Sequence, residues 1–262
     1  MFENLNIFTT DKEFFELIYT AFESYCKFMN MPLCSMPKFK INIFTMTANK
    51  NFTVASVDFP SPNSPIIKLN LCKEMFVIRK DNATPLLFHE FTHIYDYWRT
   101  KSDRISQQSK IGAYAFDEFH ATIVQLMTGC GIDNYAAKTR LPLDLKFYDG
   151  MYSGTLLSYF RREIQREKKL NVEYTSQNSC TNIIHQLFYY IGKNYFYENY
   201  CAKDINIVFE YDVFCKLLGD GVLELRDELF HHEINIVDSK YFTEIYDKYI
   251  SIELYLASLS QK

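Results

Sequence analysis

Residues 89–93 of the chain read HEFTH, inside the longer run TPLLFHEFTHIYDYW. Histidines four positions apart share one face of an α-helix, about one turn from each other. His89 and His93 can therefore aim two imidazole nitrogens at one point, where zinc takes nitrogen ligands at ~2.0–2.1 Å and a catalytic site keeps one position for water. Glu90 lies about 100° round the helix from His89. That offset keeps it off the metal yet within reach of a metal-bound water, whose proton it would take as hydroxide attacks a carbonyl carbon. Metal-assisted hydrolysis is the chemistry these residue types imply. Chance would produce the pattern in about one such chain in a hundred. The motif's place on an amphipathic segment, with the histidines off the apolar stripe, argues against chance.

Two imidazoles do not complete a catalytic site, and a third ligand must come from elsewhere. The extended pattern HExxHxxGxxH would need glycine at 96 and histidine at 99, where the chain has Asp96 and Arg99. The other common solution is a carboxylate on the next helix. The stretch YAFDEFHATIVQLM offers Asp117, Glu118 and His120. Glu118 is selected because Ala121 follows at i+3 on the same face, and a small residue there lets two helices approach closely. His120 lies about 200° round the helix from Glu118, so both cannot face one ion. A solvated acidic pair at 117–118 is the alternative. Asp96, three residues after His93, could orient a ligand imidazole, since ligating histidines donate their second N–H to an acceptor; a surface aspartate near a helix end is the other possibility.

HEFTHIYD, followed by EFHATIVQLM with Glu118 placed 25 residues after His93, resembles the gluzincin metallopeptidases. The likeness is to the catalytic domain of anthrax lethal factor and its relatives, and to the small peptidases that cleave repressors of phages and mobile elements. The matching positions are His89, Glu90, Phe91 and His93, then Glu118, Phe119, Ala121, Leu126 and Met127. The resemblance covers about 45 residues of the motif region. It implies a zincin-like fold, Zn2+ held by His89, His93 and Glu118, Glu90 as general base, and hydrolysis of a protein or peptide substrate. It also implies a Tyr or His contact to the oxyanion. The family's tyrosine spacing is not matched, and Tyr114, one turn before Glu118, is the nearest candidate; a packed core tyrosine is the alternative. A non-catalytic zincin-fold regulatory or protein-binding module is the rival function.

The elements that must position these residues follow from hydrophobic period. Thr10 and Glu13 form a capping box ahead of a helix over roughly 11–30. FKINIFTMT (39–47), FTVASVDF (52–59) and SPIIKLNLC (64–72) read as strands joined by turn chemistry, giving a small, mostly antiparallel sheet. From Thr84 a helix runs to about residue 100, with Leu87, Phe91, Ile94 and Trp98 as its apolar stripe. TKSDRISQQSK is expected as a loop or frayed turn, and a second helix over about 111–128. Helical segments follow near 153–169, 180–201, 210–228 and 239–259, with a weak strand signal at EINIV (233–237). The fold class is therefore α+β, with residues 1–135 as a zincin-like catalytic lobe and 136–262 as a helical C-terminal lobe packed against it as one unit.

Composition narrows the function. The chain has 262 residues, a formal net charge of −4 and scattered basic residues, which excludes a nucleic-acid footprint or a polybasic membrane patch. Seven cysteines without a CxxC point to free thiols in a reducing compartment. The N-terminus lacks the pattern of a secretory signal, and no segment carries 18 uninterrupted apolar residues, so a cytoplasmic location is expected. His185, in CTNIIHQLFYY, reads as a core histidine rather than an oxyanion donor. HHE at 231–233 reads as a helix-terminal polar cluster rather than a second metal site. The 23 Phe and 20 Tyr crowd helical stretches and are expected in the core. PIIKLNL (65–71) could be an edge strand that pairs with an extended substrate.

Overall fold

The computed structural model describes residues 5–8, 12–45, 54–61, 65–74, 83–148, 152–170, 177–231 and 238–259. Its elements are β1 (Leu5–Phe8), α1 (Lys12–Phe28), β2 (Phe39–Phe44), β3 (Ala55–Asp58), β4 (Ile67–Cys72), α2 (Ala83–Thr100), α3 (Gln107–Gly129), β5 (Lys146–Tyr148), β6 (Ser153–Thr155), α4 (Leu156–Glu167), α5 (Gln177–Tyr200), α6 (Asp212–Leu218), α7 (Gly221–His231) and α8 (Ser239–Leu259). The class is α+β. None of the described helices is long and apolar enough to cross a membrane. Thr10 and EINIV (233–237) lie outside the described residues.

The chain divides into two compact units. The first comprises Met1–Arg99, Val124–Lys138 and Lys146–Ser153. The second comprises Thr100–Ile123, Thr139–Leu145 and Gly154–Lys262, so the boundary falls inside α3.

In the first unit the sheet order is β1-β2-β4-β3. β1 and β4 both run parallel to β2, and β3 runs antiparallel to β4. The expected antiparallel sheet is thus corrected to a largely parallel one. The cause is connectivity: α1 carries the chain from β1 across to β2, as a parallel pair requires. The chain then lays β3 outside the place that β4 fills. β1 escaped the period count because four residues are too few to show alternation. β4 is paired on both sides, so the edge assigned to residues 65–71 belongs to β3 instead.

Alternation explains the sheet's two faces. Ile41 and Leu69 are buried and face each other in register, whereas the other face carries Asn42, Asn70 and Ser56 in one row. Asn42 Nδ2 donates to Asn70 Oδ1 at 3.0 Å. α1 covers the apolar face and ends at Asn30, whose positive φ of 53° suits asparagine. There Asn30 N–H donates to Lys27 O and Met31 N–H to Cys26 O, a Schellman stop. Between α1, β2 and α2 lies an aromatic core. Phe91 of α2 packs against Phe22 at 5.4 Å, Tyr25 at 5.6 Å and Phe39 at 6.1 Å between ring centroids. Phe88 meets Tyr25 and Phe28.

In the second unit the N-terminal part of α3 is braced by two close approaches. A Cβ on Gly112 would collide with the carbonyl oxygen of Phe242, and one on Gly192 would stand 2.9 Å from Thr122 Cβ. Glycine at both positions lets α8 and α5 touch α3 backbone-close. α3 begins at Gln107, earlier than expected, because Ser109 bonds Ser106 through side chain and backbone and draws part of the polar stretch into the helix start. Gly219, at φ 84°, splits the expected helix over 210–228 into α6 and α7. Cys26, Cys72 and Cys201 are buried free thiols, in line with the cysteine count, while Cys34 is exposed and also free.

The same unit buries a charge cluster. Thr155 caps α4 by accepting from Ser158 N–H. Two turns on, Glu163 and Glu167 share the buried face. Lys193 Nζ donates to Glu163 Oε2 at 2.6 Å, and Arg162 Nη2 to Glu163 Oε1 at 2.9 Å. Burial pushes the Glu163 carboxyl up, but Lys193 and Arg162 outweigh it and hold it below the usual range. Glu167 is different: burial raises it, and Lys193 and Arg166 do not compensate. Its Oε2 has no hydrogen-bond partner among the described residues. The folded chain therefore holds this proton more tightly than the unfolded one. That contribution to stability is complete below the ordinary glutamate pKa and is lost as pH rises through the raised value. Glu167→Gln removes the titration. Thermal melts should place the variant above the wild type at about pH 8, with the gap closing as pH falls to about 4, below the ordinary glutamate pKa; a gap independent of pH would mean that folding leaves the Glu167 pKa unshifted.

Candidate metal centre

α2 is buried on every side from Leu87 to Ile94, although it carries His89, Glu90, Thr92 and His93 there. Counting about 100° per residue, Phe88, Phe91 and Ile94 fall within about 120° of one side. His89, His93 and Asp96 fall within about 60° of the opposite side. The aromatic core holds the first set and thereby fixes where the second set faces. The expected stripe holds for Leu87, Phe91 and Ile94, but Trp98 is 36% exposed, beyond the reach of that core. Buried polar groups are costly unless they find partners. Thr92 meets this locally by donating to Phe88 O at 2.7 Å.

The imidazoles of His89 and His93 meet edge-on, with ring centroids 4.7 Å apart and planes at 82°. Their Nε2 atoms stand 3.0 Å apart. A carboxylate oxygen of Glu118, on α3, completes a buried group whose three ligand atoms all lie within 4.8 Å of one another. Tetrahedral ligands at ~2.0–2.1 Å from zinc stand about 3.3 Å from each other. The observed spacings bracket that value, so the donor set could close on a divalent ion with changes in spacing of about 1.5 Å or less. Glu90 is buried beside His89 and is not one of the three.

The alternatives near Glu118 are occupied elsewhere. Arg104 Nη2 donates to both oxygens of Asp117, at 2.8 and 2.9 Å. His120 is buried with its ring 5.4 Å from that of Phe116. The solvated acidic pair considered for 117–118 is excluded, because both carboxylates are buried. Ala121 is fully buried, as its proposed role in helix approach requires. Thr122 donates to Glu118 O at 2.8 Å, which turns its hydroxyl back onto its own helix.

Asp96 is fully buried, so the surface alternative is corrected; an ion pair with Arg99 at 3.5 Å is among its interactions. Tyr114 is 37% exposed, which removes the packed-core alternative for it. Its ring stands 5.2 Å from that of His185 and 6.3 Å from that of Phe188. His185 is half-buried, and burial lowers its pKa. The Tyr114–His185 contact joins residues far apart in the chain and has no spacing signal. Arg104 likewise lies in a polar stretch without a pattern. His231 ends α7, exposed, with Nδ1 against Asp227 O, whereas residues 232–233 lie outside the described residues.

Zinc titration followed by dialysis and elemental analysis tests the group. The wild type should retain one equivalent. His89→Ala, His93→Ala and Glu118→Ala should each weaken binding beyond the ~10–100-fold that loss of an outer partner costs. Unchanged zinc content in Glu118→Ala would remove it from the donor set. Comparison with protein-family models, with curated proteins and with solved structures finds no match, so the arrangement of His89, His93 and Glu118 is what points to a metal.

Proposed function

We propose that the chain is a zinc-dependent peptidase of the gluzincin type, with a zincin-like first unit. The observation that carries this is the buried His89, His93 and Glu118 group, with Glu90 next to the first ligand on the same helix. Two imidazoles and one carboxylate suit zinc, whose catalytic sites pair three protein ligands with one open position. When bound, the ion supplies Lewis acidity that polarises a scissile carbonyl and acidifies water near neutral pH.

The chain's own residues do the rest. Glu90 takes a proton from the attacking water and delivers it to the departing amine. Its burial favours this, since a carboxylate removed from bulk water transfers protons within the site rather than to solvent. Tyr114, one turn before Glu118, offers a hydroxyl for the oxyanion, and His185 supports its ring. β3 is one of the sheet's two edge strands among the described residues, and an extended peptide could add beside it as a further strand. Asp96 on the ligand face is the candidate for orienting an imidazole.

Glu90→Gln separates binding from catalysis. The variant should hold zinc as the wild type does and lose hydrolysis of a broad peptide library by about 10²–10⁴-fold, the usual worth of a general base. Full activity in Glu90→Gln would refute the mechanism. A wild type that binds zinc and cleaves nothing would favour the non-catalytic binding module.

A further inference from the structure

Arg104 follows α2 by four residues and its side chain is only 9% exposed. Among the contacts of its guanidinium are three within the second unit. Nε donates to Thr100 Oγ1, on the last residue of α2, at 3.0 Å. Nη2 bridges both oxygens of Asp117 on α3. The guanidinium carbon lies 5.9 Å from the centre of the Phe242 ring on α8. Asp117 is 2% exposed and directly precedes Glu118.

We propose that Arg104 is a positioning residue for the third metal ligand: by gripping Asp117 it sets the rotation of α3 about its axis, and with it the direction in which Glu118 leaves the helix. This rests on the assignment of His89, His93 and Glu118 as a metal site. Consecutive residues leave a helix about 100° apart, so fixing the azimuth of Asp117 fixes that of Glu118. Side-chain ends ride about 5–6 Å from the helix axis, so a rotation of about 10° carries a carboxylate about 1 Å. Ligand distances tolerate about 0.2 Å. The backbone-close contact at Gly112 stops α3 from moving sideways; a contact at the axis resists rotation poorly, whereas a charge-assisted bond at the rim resists it well. Thr100 matters because it is the C-terminal residue of the helix that carries both histidines.

Zinc affinity, measured on the whole 262-residue chain by competition with a chromogenic chelator, reads this directly. Arg104→Met should weaken zinc binding by about 10–100-fold, as loss of an outer partner does elsewhere. Arg104→Lys, which keeps the charge but cannot hold Thr100 and Asp117 together, should recover part of the loss. Asp117→Asn keeps the shape and should reproduce the defect, which decides the matter should Arg104→Met fail to fold. In a Glu118→Gln background, Arg104→Met should cost no further affinity, because its effect passes through residue 118. Wild-type affinity in Arg104→Met or Asp117→Asn with only a lowered melting temperature would overturn the proposal and leave an ordinary buried ion pair. An additive loss in the double variant would overturn it too. If Glu118→Gln alone leaves affinity unchanged, the metal assignment itself fails, a result distinguishable from either.

Discussion

Carboxylates and imidazoles removed from water are tolerable in a protein interior only when something answers their charge and their hydrogen-bonding capacity. That constraint governs α2 and α3, where His89, Glu90, His93, Asp96, Asp117 and Glu118 are all buried. Asp117 is answered by Arg104 and Asp96 by Arg99, each at the cost of ordering a long side chain. The two imidazoles and the Glu118 carboxylate gathered in one place form a donor set that could hold a divalent cation. Such an ion would take all three ligands at once and bring more charge than any side chain. The rest of the structure makes sense as the scaffold that keeps these groups from relaxing back toward solvent.

That scaffold works by crowding. Phe91 inside the motif and Phe88 just before it lock one side of α2 into rings from α1 and β2. α3 is held differently, by glycine-permitted backbone contacts at Gly112 and Gly192 and by rings of α8 around Phe116. Dense packing leaves few alternative rotamers, which suits a site whose geometry must be set before any ligand arrives. The abundant Phe and Tyr therefore serve positioning more than recognition: most of those in α5, and Tyr241 and Phe242 in α8, are buried.

How much of this was legible in the sequence depends on how local each signal is. The motif helix and the choice of Glu118 over Asp117 and His120 rested on spacing within single helices, and the three ligand candidates do come together. The helical C-terminal half was visible from its period. The strands were visible as segments, but their order was not, because turn-like spacers suggest neighbours pair and here β4 inserts between β2 and β3. β1 was too short to register. For Asp96 the sequence left an imidazole-orienting carboxylate and a surface residue both open, since nothing local reveals that neighbouring elements will bury its helix on all sides. Arg104 sat in a polar run and gave no sign that it would reach Asp117. Contacts of that sort are written in the tertiary fold, not in the period.

The bracing of α3 has a temporal consequence. The helix that carries Glu118 leans on Phe242 at Gly112 and on Tyr241 and Phe242 at Phe116. Those supports are encoded roughly 120 residues later, a span that a ribosome covers in about 6–25 s at 5–20 residues per second. Until then α3 lacks its α8 support, although Arg104 and the α5 contact at Gly192 are already encoded. The α8 side of this support is thus completed only once Tyr241 and Phe242 have been made.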